Sequence, residues 1–350
     1  MTTGAMRALV KTERGPGFEI RSVPIPRAGP GDVLIKVYAG GICGTDLHID
    51  EWDAWAASRV HPPRVIGHEF CGTVVEVGAE VHDVAVGDFV SGECHLNCGR
   101  CHLCRGGEAH ICESIQIIGV DRDGAFADYV VLPARNAWKQ DPGVPRDVSA
   151  IMDPFGNAVH TALATDLTSR SVVVMGCGPI GLCAILIAHR AGASPVVAAD
   201  VSPYRLALAQ TLGPDRVVDG RTTDVAAAVR EITRGEGADV LLEFSGSPEG
   251  VHAGFASLRN GGFAALLGLP HRPFEVDVAN EIVFKGLRLQ GIFGRRLWQT
   301  WQQASALLAS GLDIRPVITH RFPLARHREA FDLMRSGECG KVILTVDETA

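Results

Sequence analysis

Four cysteines, Cys98, Cys101, Cys104 and Cys112, are separated by gaps of two, two and seven residues. Four soft thiolates this close together can fill a closed tetrahedral shell, the donor set of a structural zinc site. Gly99, Gly106 and Gly107 let such a loop fold around an ion. An iron–sulfur cluster is the competing reading, but the last gap is longer than in the bacterial ferredoxin run and no proline follows Cys112. Cys94 breaks the spacing and is not expected to be a ligand. A second group is mixed: Cys43, within Cys43-Gly44-Thr45-Asp46-Leu47-His48, and His68 with Glu69, after Gly67. One thiolate, one imidazole and one carboxylate from two loops suit a zinc ion with an open position. There a substrate oxygen can bind and give up its proton more easily. Taken singly, each of these residues is more simply a core or surface side chain, so it is the combination that carries the reading.

A third group binds nucleotides. Gly176-Cys177-Gly178-Pro179-Ile180-Gly181 fits G-x-G-x-x-G, follows the apolar run Ser171–Met175 and opens a helical pattern. Gly176 allows the tight turn, Gly178 lets backbone approach a pyrophosphate, and Gly181 lets helix and strand pack closely. The helix N-terminus adds unpaired N–H groups and a positive dipole end. Asp200 ends the next strand and suits the ribose hydroxyls of NAD while repelling the 2′-phosphate of NADP. Arg205, just beyond, can flank the adenosine or favour NADP. The alternative is a glycine-rich turn of an α/β protein that holds no ligand.

These groups need a scaffold, and the chain offers two. Up to about residue 140 it shows short Val-rich runs at 6–12, 32–38, 72–77, 87–90 and 127–132, punctuated by Gly, Pro and Asp, which predict a mainly β domain. Met6 opens the first run, and residues 1–5 are expected to be loose. From about residue 150, strands at 171–175, 195–199, 217–218, 238–244 and 262–267 alternate with helices at 179–191, 203–212, 224–234 and 248–258. This alternation predicts a doubly wound parallel sheet. Leu297, Trp301, Ala304, Ser305 and Leu308 share one helical face, and 341–346 reads as a closing strand.

The 350 residues carry 33 Lys and Arg against 40 Asp and Glu, a net charge of −7. With no basic excess to neutralise phosphates, a nucleic-acid partner is not expected. No apolar run is long enough for a transmembrane helix, and no signal peptide is seen, so no membrane association and a cytoplasmic location are expected. There the clustered cysteines more often hold metal than pair with each other.

Taken together, these segments resemble the zinc-containing medium-chain alcohol dehydrogenase family over nearly the whole chain. Further support comes from Trp52-Asp53-Ala54-Trp55, the run Asp153 to Thr161 (DPFGNAVHT) and Ile318-Thr319-His320-Arg321-Phe322. Within the family the chain is most similar to bacterial members that oxidise L-threonine.

The resemblance implies a GroES-like catalytic domain over 1–154, with a structural-zinc lobe at about 94–113. It implies a Rossmann NAD-binding domain over 155–295 and a C-terminal part, 296–350, that returns to the catalytic domain. It also implies NAD, two zinc ions per subunit and a homotetramer. Carried over by residue, Cys43, His68 and Glu69 hold the catalytic zinc, and Cys98, Cys101, Cys104 and Cys112 the structural zinc. Thr45 and His48 relay the proton. Asp153 supports the proton pathway, with direct ligation left open. Beside the glycines, Ile180, Asp200, Arg205, Leu267, Gly268, Leu269, Ile292 and Phe293 meet NAD.

The implied reaction is oxidation of L-threonine to 2-amino-3-oxobutanoate, with Arg295 or Arg296 as candidates for the substrate carboxylate. No role is assigned to His160 or His320. Phe70-Cys71, Phe293 and Arg296 depart from the family pattern and leave the substrate more open than the metal sites. The rival on this scaffold is a polyol, amino-alcohol or secondary-alcohol dehydrogenase. A rival of another class is a non-catalytic NAD-binding redox sensor switching through its cysteines.

Overall fold

The computed structural model describes residues 4–347. The expectation for residues 1–5 lies partly outside them; the first strand is Ala5–Lys11. The chain divides into two compact units. One takes in the chain up to Asp153, Ile318–Ser336 and the tail from Lys341; the other takes in Pro154–Val317 and Gly337–Gly340.

The first unit is mainly β. Its largest sheet runs Ala137–Lys139, Phe89–Gly92, Glu69–Val77, Asp32–Gly41, Lys341–Thr345 and Ile318–Pro323, with Tyr129–Pro133 also paired to Asp32–Gly41. All pairs are antiparallel except the last two strands of that order. Asp32–Gly41 is therefore central, and it brings the closing strand beside the strand that begins with Glu69. A three-stranded sheet of Glu19–Pro24, Ala5–Lys11 and Arg64–Val65 adds a second layer of pairing. Several elements here escaped the sequence reading, among them the helices Gly44–Glu51 and Ala54–Arg59. The first is weakly amphipathic and the second has only six residues, so periodicity gives little sign of them.

Lys11 ties this unit together. Its side chain is buried. Its ammonium donates to the carbonyls of Gly15, Gly17 and Asp50 and lies over the rings of Phe18 and Trp52. Asp50 lies in the last turn of the helix Gly44–Glu51 and Trp52 caps that helix in the left-handed region, φ 59°. Lys11 thus supplies donors where helix carbonyls lack them. Burial lowers its pKa to about 8. Below that pH the ammonium is charged in both folded and unfolded chains, and its burial cost is fully present. Between about pH 8 and its ordinary 10.5 the folded chain holds fewer protons, so stability gains from Lys11 as pH rises. Urea midpoints at pH 7.5 and 9.5 should therefore show a gain in the native chain relative to Lys11→Met.

The second unit carries a six-stranded sheet in the order Arg216–Asp219, Val196–Asp200, Val172–Met175, Ala238–Glu243, Leu258–Leu266, Arg288–Gly291. Every pair is parallel, so this is the 3-2-1-4-5-6 order of a doubly wound dinucleotide fold. All four residues of Val172–Met175 are buried, as a central strand covered on both faces requires. Helices Pro179–Arg190, Pro203–Thr211 and Pro248–Ser257 each begin with proline at the first helical position. There the missing N–H costs nothing. Ser202, Asp224 and Ser247 cap helix N-termini by accepting backbone N–H groups. The helix Gln299–Ala309 also lies in this unit and buries Trp301 and Ala304. Among the described residues, no helix is long and apolar enough to cross a membrane.

Candidate active site

Cys98, Cys101, Cys104 and Cys112 place their sulfurs within 4.8 Å of one another. Cys98 and Cys104 are 4.0 Å apart, and Cys101 and Cys112 are 3.9 Å apart. Thiolates at about 2.3 Å from one zinc ion stand about 3.8 Å apart in a tetrahedron. Both spacings fit, and all four cysteines are free of disulfides. Backbone N–H groups of Arg100 and Cys101 point at the Cys98 sulfur and bring its pKa down to about 6. The Cys98 and Ser114 N–H groups point at the Cys112 sulfur. The loop is thus arranged around anionic sulfur. Cys94 lies outside this group of four, and its thiol is 3.1 Å from an Asp153 carboxylate oxygen. The neighbouring Glu93–His95 pair is closed by hydrogen bonds, because one Glu93 oxygen accepts from both the backbone N–H and Nδ1 of His95.

The mixed group also assembles. Ligand atoms of Cys43, His68 and Glu69 lie within 4.8 Å of one another. Cys43 is the residue before the helix Gly44–Glu51, and its N–H donates to Asp46 at 2.9 Å. Glu69 is the first residue of the strand Glu69–Val77, where the sequence had suggested a loop. Gly67 (φ 93°) turns the chain into it. Nδ1 of His68 is buried without a hydrogen-bond partner, 3.6 Å from an Asp46 oxygen. Burial opposes charge on His68, but Asp46 and Cys43 outweigh it and hold the imidazole well above its ordinary pKa. A buried imidazole beside a thiol and a carboxylate, all converging, is the donor set a zinc ion fits.

Sequence reading missed Lys341. Its ammonium forms an ion pair with Glu69 and donates to the Ile42 carbonyl at 2.7 Å, with both charged side chains almost wholly buried. Burial pushes the Glu69 carboxyl up, Lys341 counters it, and Asp153 adds to the rise. A Cβ on Gly41 would run into both partners, so that glycine makes room for the pair. Asp153 is buried in the first turn of the helix Met152–Ala162 and is not one of the three grouped ligands.

Thr45 and His48 lie three residues apart on the helix Gly44–Glu51, and so on one face. The Thr45 hydroxyl is 3.8 Å from the Cys43 sulfur. His48 Nδ1 is 2.7 Å from Asp53, whose other oxygen caps the helix Ala54–Arg59, and its ring meets Trp55 edge to face. Burial works against the Asp53 charge, but the Ala56 N–H and His48 outweigh it and hold the carboxyl below its usual range.

In the second unit the three glycines behave as their spacing predicts. Gly176 has φ 94°, a Cβ at Gly178 would meet open space, and a Cβ at Gly181 would strike the Gly176 carbonyl. Gly178 precedes the helix Pro179–Arg190, so the N-terminal amides open on free space at the switch point of the sheet. Asp200 does more than the sequence suggests. One oxygen accepts the Cys177 N–H at 2.6 Å, and the other accepts those of Val201 and Ser202. It therefore braces the glycine turn, with acceptor capacity remaining on the oxygen that takes the Cys177 N–H.

Arg205 Nε is buried without a hydrogen-bond partner. Leu267, Gly268 and Leu269 follow the strand Leu258–Leu266, and Ile292 and Phe293 follow Arg288–Gly291, all at carboxyl ends of the parallel strands. Leu269 is 85% and Phe293 43% exposed there. Large apolar side chains at these strand ends suit a dinucleotide, while Arg205 lies on the helix after Val196–Asp200, in the other half of the sheet. The carboxylate role considered for Arg295 is overturned: the whole side chain is buried and donates to Asn157.

Comparison with known proteins agrees with this geometry. Residues 29–143 match the model of the alcohol dehydrogenase GroES-like domain, and residues 179–310 that of zinc-binding dehydrogenase. An L-threonine 3-dehydrogenase of Symbiobacterium thermophilum is 52% identical over 344 residues, spanning 98% of each chain. The chain belongs to the zinc-binding alcohol dehydrogenase family. It is an oxidoreductase. A second relative, an L-threonine 3-dehydrogenase of Pyrococcus horikoshii, is 46% identical over 97% of this chain and 98% of its own. Among solved structures, 2R,3R-butanediol dehydrogenase from Bacillus subtilis superposes with TM-score 0.88 at 28% identity, over 98% of this chain and 100% of its own. An Escherichia coli alcohol dehydrogenase complexed with NADH gives TM-score 0.88 at 28% identity, over 98% and 99%.

Proposed function

We propose that this family member oxidises the secondary hydroxyl of L-threonine to 2-amino-3-oxobutanoate, using NAD and two zinc ions per chain. The observation that carries the reaction class is the convergence of Cys43, His68 and Glu69. The substrate rests on full-length relatives named for L-threonine. When bound, zinc supplies Lewis acidity toward an alcohol and the nicotinamide supplies a two-electron acceptor.

The chain's own residues do the rest. Cys43, His68 and Glu69 hold the catalytic metal, and the ammonium of Lys341, paired with Glu69, opposes the burial that pushes the carboxyl up. Thr45 and His48 carry the hydroxyl proton outward. The Asp53 carboxylate accepts from His48 Nδ1, so Nε2 is the nitrogen that takes up the proton. Asp153, with the Cys94 thiol on its carboxylate, supports that pathway beside Glu69. Cys98, Cys101, Cys104 and Cys112 hold the structural ion. Gly176, Gly178, Ile180 and Gly181 receive the pyrophosphate, Asp200 and Arg205 the adenosine, and residues 267–269, 292 and 293 the nicotinamide. In this reading the first unit is the catalytic domain and the second the NAD-binding domain; the chain returns to the first unit only at Ile318, because residues 296–317, with the helix Gln299–Ala309, stay in the second.

The test is reduced-cofactor formation by zinc-loaded protein on L-threonine, D-threonine, L-allo-threonine, L-serine, 2,3-butanediol and sorbitol, each with NAD and NADP. Highest kcat/KM for L-threonine with NAD is expected. Preference for the diol keeps the metal chemistry but replaces the substrate, the reading favoured by the likeness to butanediol dehydrogenase. Replacing Asp200 with Ser is expected to raise the KM for NAD by about tenfold to a hundredfold, because a charged acceptor is lost. The same change narrows the preference over NADP, read as the ratio of kcat/KM values.

We also place the chain in the cytoplasm as a homotetramer. Its parallel sheet ends in Arg288–Gly291, a strand with one neighbour, and Leu289, Val283 and Phe284 around it are exposed. An apolar open edge of this kind invites a second copy. Light scattering gives the mass.

A further inference from the structure

The helix Met152–Ala162 and the segment that follows the last parallel strand are joined in a way the proposed reaction has not used. Arg295 is wholly buried. Its Nη1 donates to Asn157 Oδ1 at 3.1 Å. Its aliphatic stem lies against Gly156, where a Cβ would collide with Cδ and come within 2.8 Å of Cγ. His160 stands three residues beyond Asn157, hence on the same helix face. Its Nδ1 lies 2.9 Å from the Gly294 carbonyl. A carbonyl can only accept, so Nδ1 carries the hydrogen. On the other side, the Ile292 N–H donates to the Leu266 carbonyl at 2.8 Å, and the Arg296 N–H to the Thr300 hydroxyl at 3.0 Å.

Residues 292–296 are therefore fastened at four points, with Phe293, half-exposed, held between them. Burying a guanidinium is costly, and this one is spent on fixing a loop. The loop sits at the carboxyl ends of the half-sheet Ala238–Glu243, Leu258–Leu266, Arg288–Gly291. The glycine turn and Asp200 occupy the other half, beside which the adenosine binds in a dinucleotide fold, leaving this half to the nicotinamide.

We propose that Asn157 and His160 are positioning residues for the nicotinamide end of the cofactor, acting through Arg295 and Gly294 to hold Ile292 and Phe293 in place. The proposal rests on the NAD reading above. It separates the two ends of the cofactor, and so does its test: the affinity of NADH and of ADP-ribose, which lacks the nicotinamide, measured by calorimetry on native protein, Asn157→Ala, Asn157→Asp and His160→Ala.

The expected result is NADH binding weakened about tenfold in each alanine variant, the scale of one lost hydrogen bond to or around a charged group. ADP-ribose binding should stay within about twofold, and Asn157→Asp, which keeps the acceptor, should stay near native. Equal losses for both ligands, or none for NADH, overturn the proposal. His160→Ala leaves no buried charge unpaired, so it is the variant to use if Asn157→Ala does not fold. Failure of both to fold assigns these side chains to stability alone and also overturns it. Native protein that binds neither ligand fails the NAD reading instead.

Discussion

Cys43→Ser is expected to release one of two zinc ions per chain and to lower kcat on L-threonine by about a thousandfold or more. The loss follows from donor chemistry. Serine keeps the shape but offers a neutral, hard hydroxyl where a thiolate is needed, and His68 and Glu69 alone are a poor site for zinc. Lewis-acid stabilisation of developing negative charge contributes several kcal/mol. At about 1.4 kcal/mol per decade, that is about three decades in rate. NADH affinity should change little, because the glycine turn and Asp200 belong to the second unit. Metal analysis and initial rates on the same preparation check both halves. Two zinc ions with near-native kcat would remove Cys43 from the centre. A matching change at Cys104 should also release one zinc, but its first consequence should be a lower melting temperature, because that group braces a loop.

What the sequence revealed was mostly local. The run Val172–Met175, the glycines after it and the helix from Pro179 are contiguous, and each glycine has a steric reason that spacing alone conveys. The four cysteines are legible for the same reason. What stayed hidden depends on strand order or on helix-breaking residues. The helix Met152–Ala162 contains Pro154 and Gly156, which argue against a helix by propensity. Pro154 falls in the first turn, where the missing N–H is harmless, and Gly156 is needed because Arg295 lies against it. The strand Arg288–Gly291 is short and largely exposed, so it lacks the apolar signature of its neighbours. Asp200 was found for its charge, but its bonds to three backbone N–H groups are set by a turn whose geometry the sequence does not print. In the sequence Lys341 is simply the start of a strand. Nothing local marks it as the partner of Glu69, because the two meet only when the closing strand lies beside Asp32–Gly41.

That hidden pair carries the largest stability effect expected. Lys341→Met should leave the Glu69 carboxylate buried and without its cation, a situation that costs about 3–5 kcal/mol. At roughly 2–4 °C per kcal/mol for a large domain, the melting temperature of metal-free protein should fall by roughly 10 °C. The loss should depend on pH in a definite sense. Burial and Asp153 push the Glu69 carboxyl up, and Lys341 is what opposes them. Without Lys341 the folded chain favours the protonated acid still more. The penalty is then absent below the ordinary carboxyl range, grows as pH rises from there through the raised value and is constant above it, so the variant should be closer to native at pH 5 than at pH 8.

Lys341→Arg keeps the charge and should recover part of the loss. Lys341→Met with Glu69→Gln removes both charges and should recover more, because an absent pair costs less than a broken one. Zinc-loaded protein should lose less than metal-free protein on Lys341→Met, since a bound cation also compensates Glu69. A variant that melts within about a degree of native at pH 8, with and without zinc, would mean that the Glu69 carboxyl is already neutral in the native chain, and that Lys341 does not govern its charge.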